Sequence, residues 1–171
     1  MLIFIRHSED EDNRYHPYDG SITAKGRQLA RKKARKLISR YGFPKKIYCS
    51  PFRRTRQTLQ AMISDLEQEQ RNNLNRRTKF DIRLSRYFTS EEKVKPRLAR
   101  STDKLGDIPV YETSEEMDRR INQFLHKSRR YQNRAKVVWV ITHAIPYKRA
   151  ACFHDKEIPE HIPFMHHIVV Q

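Results

Sequence analysis

The chain has 171 residues, enough for one domain with a substantial core, and only 37% of them are hydrophobic. With 36 Lys and Arg against 20 Asp and Glu, the formal net charge of +16 favours polyanionic partners: phosphorylated substrates, nucleic acid or another anionic surface. Apolar runs such as Val137 to Ile141 are far too short to span a membrane, and Arg6 interrupts the apolar start too early for a secretory leader, so a cytoplasmic, unexported protein is expected.

In chain order, Leu2-Ile3-Phe4-Ile5 is a continuous apolar run that reads as a strand buried on both faces, with Arg6, His7 and Ser8 at its carboxyl end. That end is where open α/β sheets bind ligands. An Arg there can fork onto a phosphate, and a neutral His beside it can attack phosphorus; an ordinary strand end would also accommodate both residues. Glu9 to Gly20 is acidic and turn-rich, hence a loop. Thr23 reads as the N-cap of a helix from Ala24 to about Tyr41, with Ala30, Ala34, Leu37, Ile38 and Tyr41 inward and Arg31, Lys32, Arg35 and Lys36 outward, stopped by Gly42. Lys45 to Ser50 reads as a second strand. Pro51 opens a helix expected from about Arg54 to Gln70, with Thr58, Leu59, Met62 and Leu66 inward.

Arg71 to Arg86 is basic and Asn-rich and ends in a short strand at Lys79 to Leu84. Residues at about 87–110, which include Pro96, Gly106 and Pro109, show no clear period and read as a substrate-side insertion. Thr113-Ser114-Glu115-Glu116 is a capping box, and its helix reaches Tyr131 with Met117, Ile121, Phe124 and Leu125 inward. Val137 to Thr142 is the clearest strand and delivers His143. A helix over Pro146 to Phe153 and a strand over His166 to Val170 complete the chain. This alternation predicts a single α/β domain over residues 1–171: a three-layer sandwich with a mostly parallel central sheet and helices on both faces.

The motifs together resemble the histidine phosphatase superfamily, also called phosphoglycerate-mutase-like. The resemblance rests on Arg6-His7-Ser8 (with Ser where the family has Gly), Asn13, Ile22-Thr23-Ala24-Lys25-Gly26, Ser50-Pro51-Phe52-Arg53-Arg54 and Thr142-His143, in order from residue 2 to about 150. It implies a phosphatase in which His7 is the nucleophile, forming a phosphohistidine that water hydrolyses. It further implies that Arg6, Arg54 and His143 bind the phosphoryl oxygens, that Asn13 and Thr23 complete the ring of donors, and that no cofactor or metal takes part. Read residue by residue, His143 also suits a buried core histidine, Asn13 a turn and Thr23 a helix cap. The Ser-Pro-x-x-Arg spacing selects Arg54 over its neighbour Arg53. His154, His161, His166 and His167 lack the spacing of a metal site, and Cys49 and Cys152 are expected to be buried free thiols.

The sequence departs from the family at its acid. Where many members carry a Leu-x-Glu glutamate, this chain has Arg86, and Ala144 stands where other branches place an aspartate. Glu91 and Glu92 are the remaining candidate acids. An enzyme without a donor favours leaving groups that are already stable and need less help. Phosphohistidine is one, and short phosphohistidine phosphatases of this family look similar in length and in lacking the glutamate. The expected partner is therefore a phosphorylated small molecule or phosphoprotein. Two alternatives are a phosphatase on small or highly phosphorylated metabolites, and a weakly active nucleic-acid-binding domain using Arg71, Arg76, Arg77, Lys79, Arg83 and Arg86 with Phe80, Tyr87 and Phe88 interleaved.

Overall fold

The computed structural model describes residues 1–11, 20–86, 112–131 and 136–170. Five strands form one sheet: β1 (Leu2–Arg6), β2 (Lys46–Cys49), β3 (Thr78–Phe80), β4 (Val138–Thr142) and β5 (His167–Val170), in the order β3-β2-β4-β1-β5. The pairs β1–β4, β2–β4 and β2–β3 are parallel, and β5 lies antiparallel on the edge against β1. The expected mostly parallel α/β sandwich is what the chain forms.

The layers follow from side-chain alternation along β1, because neighbouring residues of a strand face opposite sides of the sheet. Ile3 and Ile5 enter one core with Ala30, Ala34 and Leu37 of α1 (Ala24–Tyr41) and with Leu59, Met62 and Ile63 of α2 (Arg53–Ile63). Leu2 and Phe4 enter the other, with Met117, Ile121, Phe124 and Leu125 of α4 (Ser114–Ser128) and Tyr147, Ala150 and Ala151 of α5 (Ala144–Phe153). Both faces of the two central strands are thus covered, which is why their sequences are apolar throughout rather than alternating.

Three local expectations need correction. The helix expected from Arg54 to Gln70 is two helices, α2 and α3 (Gln68–Arg77). The break falls at Ser64, whose hydroxyl donates to the Ala61 carbonyl at 2.9 Å, and at Asp65, which faces Arg31 and Arg35 across the gap to α1. Such short polar side chains draw backbone partners away from the helix. The strand expected over Lys79–Leu84 is only Thr78–Phe80, because Asp81 turns the chain into a 3₁₀ turn at Ile82–Leu84 by accepting from the Arg83 N–H at 3.0 Å. Of the two thiols, both free, Cys49 is buried but Cys152 is exposed; burial pushes the Cys49 thiol up to about 12. The insertion expected at about 87–110 lies outside the described residues.

Gly26 explains why the Thr-x-x-Gly start of α1 is specific. A Cβ there would collide with the backbone carbonyl oxygen of Glu9, which accepts from the Thr23 N–H at 3.0 Å. The helix can therefore seat its first turn against the loop after β1 only if this position has no side chain. Gly26→Ala is expected to destabilise the protein by about 1–3 kcal/mol, a melting shift of roughly 2–4 °C per kcal/mol. Thermal unfolding checks this; an unchanged midpoint would show that the loop yields freely.

Candidate active site

The carboxyl ends of β1, β2 and β4 converge on one place. β1 delivers Arg6 and His7, β4 delivers His143 as the residue preceding α5, and the turn after β2 delivers Ser50 and the start of α2, where Arg54 sits. The rings of His7 and His143 meet edge to face with centroids 5.2 Å apart. His7, His143, Arg54 and Ser50 are all buried polar groups, whereas Arg53 is exposed. The spacing argument therefore chose the arginine that points into the cluster.

The hydrogen bonds fix both tautomers. His7 Nδ1 lies 2.8 Å from the Ser8 carbonyl oxygen. A carbonyl only accepts, so Nδ1 carries the proton and Nε2 keeps its lone pair. Burial, reinforced first by the Arg54 guanidinium, pushes the His7 pKa down to about 3, so the ring is neutral at pH 7. At His143, Arg54 Nε donates to Nδ1 at 3.2 Å, so the proton sits on Nε2, which donates to Ser50 Oγ at 2.9 Å. Burial and Arg54 hold His143 well below its ordinary pKa as well. In this state the His143 donor is engaged by Ser50.

Two guanidiniums flank the rings. Arg54 Nη1 pairs with Asp10 at 3.1 Å while its Nε holds His143. Arg6 donates through Nη1 to the Ile162 carbonyl and stacks over the Phe164 ring at 4.4 Å, and its buried Nε has no hydrogen-bond partner among the described residues. Ser8, which replaces the family's glycine, is fully buried: its hydroxyl donates to the Gly26 carbonyl at 2.6 Å, and its N–H donates to Thr58 Oγ1 at 3.0 Å. The added hydroxyl ties the loop after β1 to α1, and the backbone N–H ties it to α2. Thr23 is the N-cap of α1, its oxygen accepting from Gly26 N–H at 2.8 Å and its hydroxyl donating to Glu9 at 3.0 Å. Asn13, Glu91 and Glu92 lie outside the described residues.

Several members of this cluster had no signal in the sequence. Asp10 is one of several loop acids, and nothing local marks it as the partner of Arg54. Phe164 and the Ile162 carbonyl arrive from the far end of the chain. A buried pair between Glu112 and Arg120 is a third case: Arg120 Nε meets Glu112 Oε2 at 2.9 Å and Nη2 meets Oε1, and the same guanidinium donates to the Ile82, Ser85 and Arg86 carbonyls at 2.8, 3.2 and 3.3 Å. It thereby anchors the segment that carries Arg86. Within the basic run, Arg83 is ion-paired with Asp81 at 2.6 Å, while Arg76, Arg77, Lys79 and Phe80 are exposed; Tyr87 and Phe88 lie outside the described residues. Among the described residues, no group of three or more His, Cys, Asp or Glu is arranged to hold a metal ion, and no helix is long and apolar enough to cross a membrane.

A family model described as the histidine phosphatase superfamily, branch 1, matches residues 2–167. Among curated proteins no sequence relative is found. The fold is similar to that of ecdysone phosphate phosphatase from Bombix mori in complex with tungstate, at 15% identity and TM-score 0.65, covering 97% of this chain and 86% of that one. It is also similar to the protein histidine phosphatase SixA complexed with tungstate, at 15% identity and TM-score 0.60, over 96% and 83% of the two chains. A third similar structure is the phosphohistidine phosphatase candidate SixA from Agrobacterium tumefaciens, at 14% identity and TM-score 0.59, over 96% and 86%. At such identities the likeness is one of fold.

Proposed function

The chain belongs to the histidine phosphatase superfamily, and from that premise we propose that it is a phosphatase that transfers a phosphoryl group to His7 Nε2 and then to water. The observation that carries the reading is the state of His7: neutral, buried, and held by Ser8 so that Nε2 presents a lone pair beside two arginines. Attack forms the Nε2–P bond as the bond to the leaving group breaks. Arg6 and Arg54 neutralise the equatorial oxygens, which is electrostatic preorganisation and the main catalytic term in phosphoryl transfer. His143, released from Ser50, adds a further donor. Water then attacks phosphorus, the electron pair of the N–P bond returns to Nε2, and phosphate leaves. Asn13 and Thr23 belong to this reading as secondary oxygen donors.

Substrates with good leaving groups are favoured. Asp10 is engaged by Arg54 and Glu112 by Arg120, so neither is presented as a proton donor. Two kinds of substrate meet that condition: an N-linked donor such as phosphohistidine, in keeping with the fold shared with SixA, and an O-linked donor with an acidic leaving group. The test is the dependence of kcat/KM on leaving-group pKa across substituted phenyl phosphates and an alkyl phosphate. A steep fall with rising pKa is expected, on the order of 10²–10⁴-fold between aryl and alkyl esters, the scale of a missing general acid. Glu91→Gln and Glu92→Gln should leave the series unchanged. A flat series, or collapse in either variant, places the acid in that segment and removes the basis for the preference.

A further inference from the structure

Arg86 occupies the position of the missing acid, and its surroundings are built rather than incidental. The Glu112 carboxylate is 3% exposed and Arg120 is 10% exposed, so this is a buried, bidentate ion pair, and its guanidinium closes on three consecutive-turn carbonyls including that of Arg86. Thr142 Oγ1 donates to the Leu84 carbonyl at 2.7 Å, tying the same segment to the residue before His143. Ser85 Oγ lies 3.4 Å from Ser50 Oγ, the acceptor of His143. Five contacts, three of them from the one Arg120 guanidinium, thus fix residues 82–86 against the active-site end of β4. The charge of Arg86 reaches both His7 and His143, disfavouring protonation of each.

The strand order gives the direction. Arg86 follows β3 and His7 follows β1, with β2 and β4 between them, so the two residues approach the cluster from opposite sides, with His143 in the middle. In an in-line displacement the leaving group departs on the side opposite the nucleophile. For a phosphoryl group lying against His143 and attacked by His7, the side opposite the nucleophile is the one from which the Arg86 segment arrives.

We propose that Arg86, positioned by the Glu112–Arg120 pair, stabilises a leaving group that departs as an anion, so that the substrates of this site are O-linked phosphoryl donors with acidic leaving groups rather than phosphoramidates. The inference rests on the phosphatase reading above and narrows it. In the step, the His7 Nε2 lone pair forms the N–P bond and the P–O bond breaks. Its electron pair stays on the departing oxygen, which faces the guanidinium, and no proton moves. A phosphoramidate gains the opposite: its nitrogen must be protonated to leave, and a fixed cation nearby opposes that protonation.

The experiment compares p-nitrophenyl phosphate, phenyl phosphate and phosphoramidate with the full-length protein, its Arg86→Gln and Arg86→Lys variants, and Arg120→Lys. Arg86→Gln is expected to lower the ratio of kcat/KM for p-nitrophenyl phosphate over that for phosphoramidate by about 10²-fold, the scale of one preorganised charge, and to steepen the leaving-group dependence among the aryl esters. Arg86→Lys should keep most of the ratio. Arg120→Lys should shift the ratio in the same direction as Arg86→Gln, a change that general loosening of the fold does not produce. If Arg86→Gln slows all three substrates equally, or none, the proposal is overturned while the phosphatase reading stands. If the unaltered protein turns over none of them and His7 takes up no acid-labile phosphate, both are overturned.

Discussion

His7→Ala abolishes turnover, with a loss on the order of 10⁴-fold or more, the scale seen when a covalent nucleophile is removed. The expectation is this large because the ring is held for one task. Its Nδ1–H is fixed by Ser8, its edge packs against His143 and Phe164, and burial and the arginines keep it unprotonated far below neutral pH. No neighbouring imidazole substitutes, since both nitrogens of His143 are already engaged by Arg54 and Ser50. His7→Asn serves as the companion variant, because its side-chain amide can still donate to the Ser8 carbonyl and so preserves the local fold. Rapid quench with ³²P-labelled substrate reads the result directly: acid-labile label accumulates in the unaltered protein and in neither variant. Full activity in a folded His7→Asn protein would falsify the nucleophile assignment.

The second large effect separates two adjacent arginines. Arg54→Ala is expected to cost about 10²–10³-fold in kcat, the scale of one preorganised donor to the transition state, whereas Arg53→Ala stays within about threefold because that side chain is exposed. Arg54 has two further roles that explain the asymmetry. It holds Asp10 by an ion pair at 3.1 Å and orients His143 through Nε. Its removal therefore leaves a largely buried carboxylate without its cation and frees the second imidazole to rotate. Stability should fall in Arg54→Ala, and the double variant Arg54→Ala with Asp10→Asn should regain stability without regaining rate. Equal losses in the Arg53 and Arg54 single variants would mean that the buried guanidinium is structural only.

The sequence by itself determined most of the elements and, through the family it resembles, named the two histidines and the arginines that the fold brings together. Short apolar runs of β-branched and aromatic residues that do not alternate, as in Leu2–Ile5 and Val138–Ile141, read as strands covered on both sides, and such strands have helices on both faces. Helix ends were equally legible at Thr23, Gly42 and Thr113, because capping is a matter of a few consecutive residues; the Thr113–Glu116 capping box forms as read. The distinction between Arg53 and Arg54 followed from the Ser-Pro-x-x-Arg pattern of the family that the sequence resembles.

What only the tertiary structure decided are relations between residues far apart in the chain. Asp10 with Arg54, Arg6 with Phe164 and Ile162, and Glu112 with Arg120 and the Arg86 segment are contacts across the sheet's carboxyl edge, where the order β3-β2-β4-β1-β5 brings together five separate loops. No local period records such an order. The break between α2 and α3 was missed because Leu66 continues the helical spacing, while the polar groups of Ser64 and Asp65 compete for partners that only the folded chain supplies. The tautomers belong to the same class: which nitrogen of His7 is nucleophilic follows from where the Ser8 carbonyl points, a property of backbone geometry and not of residue type.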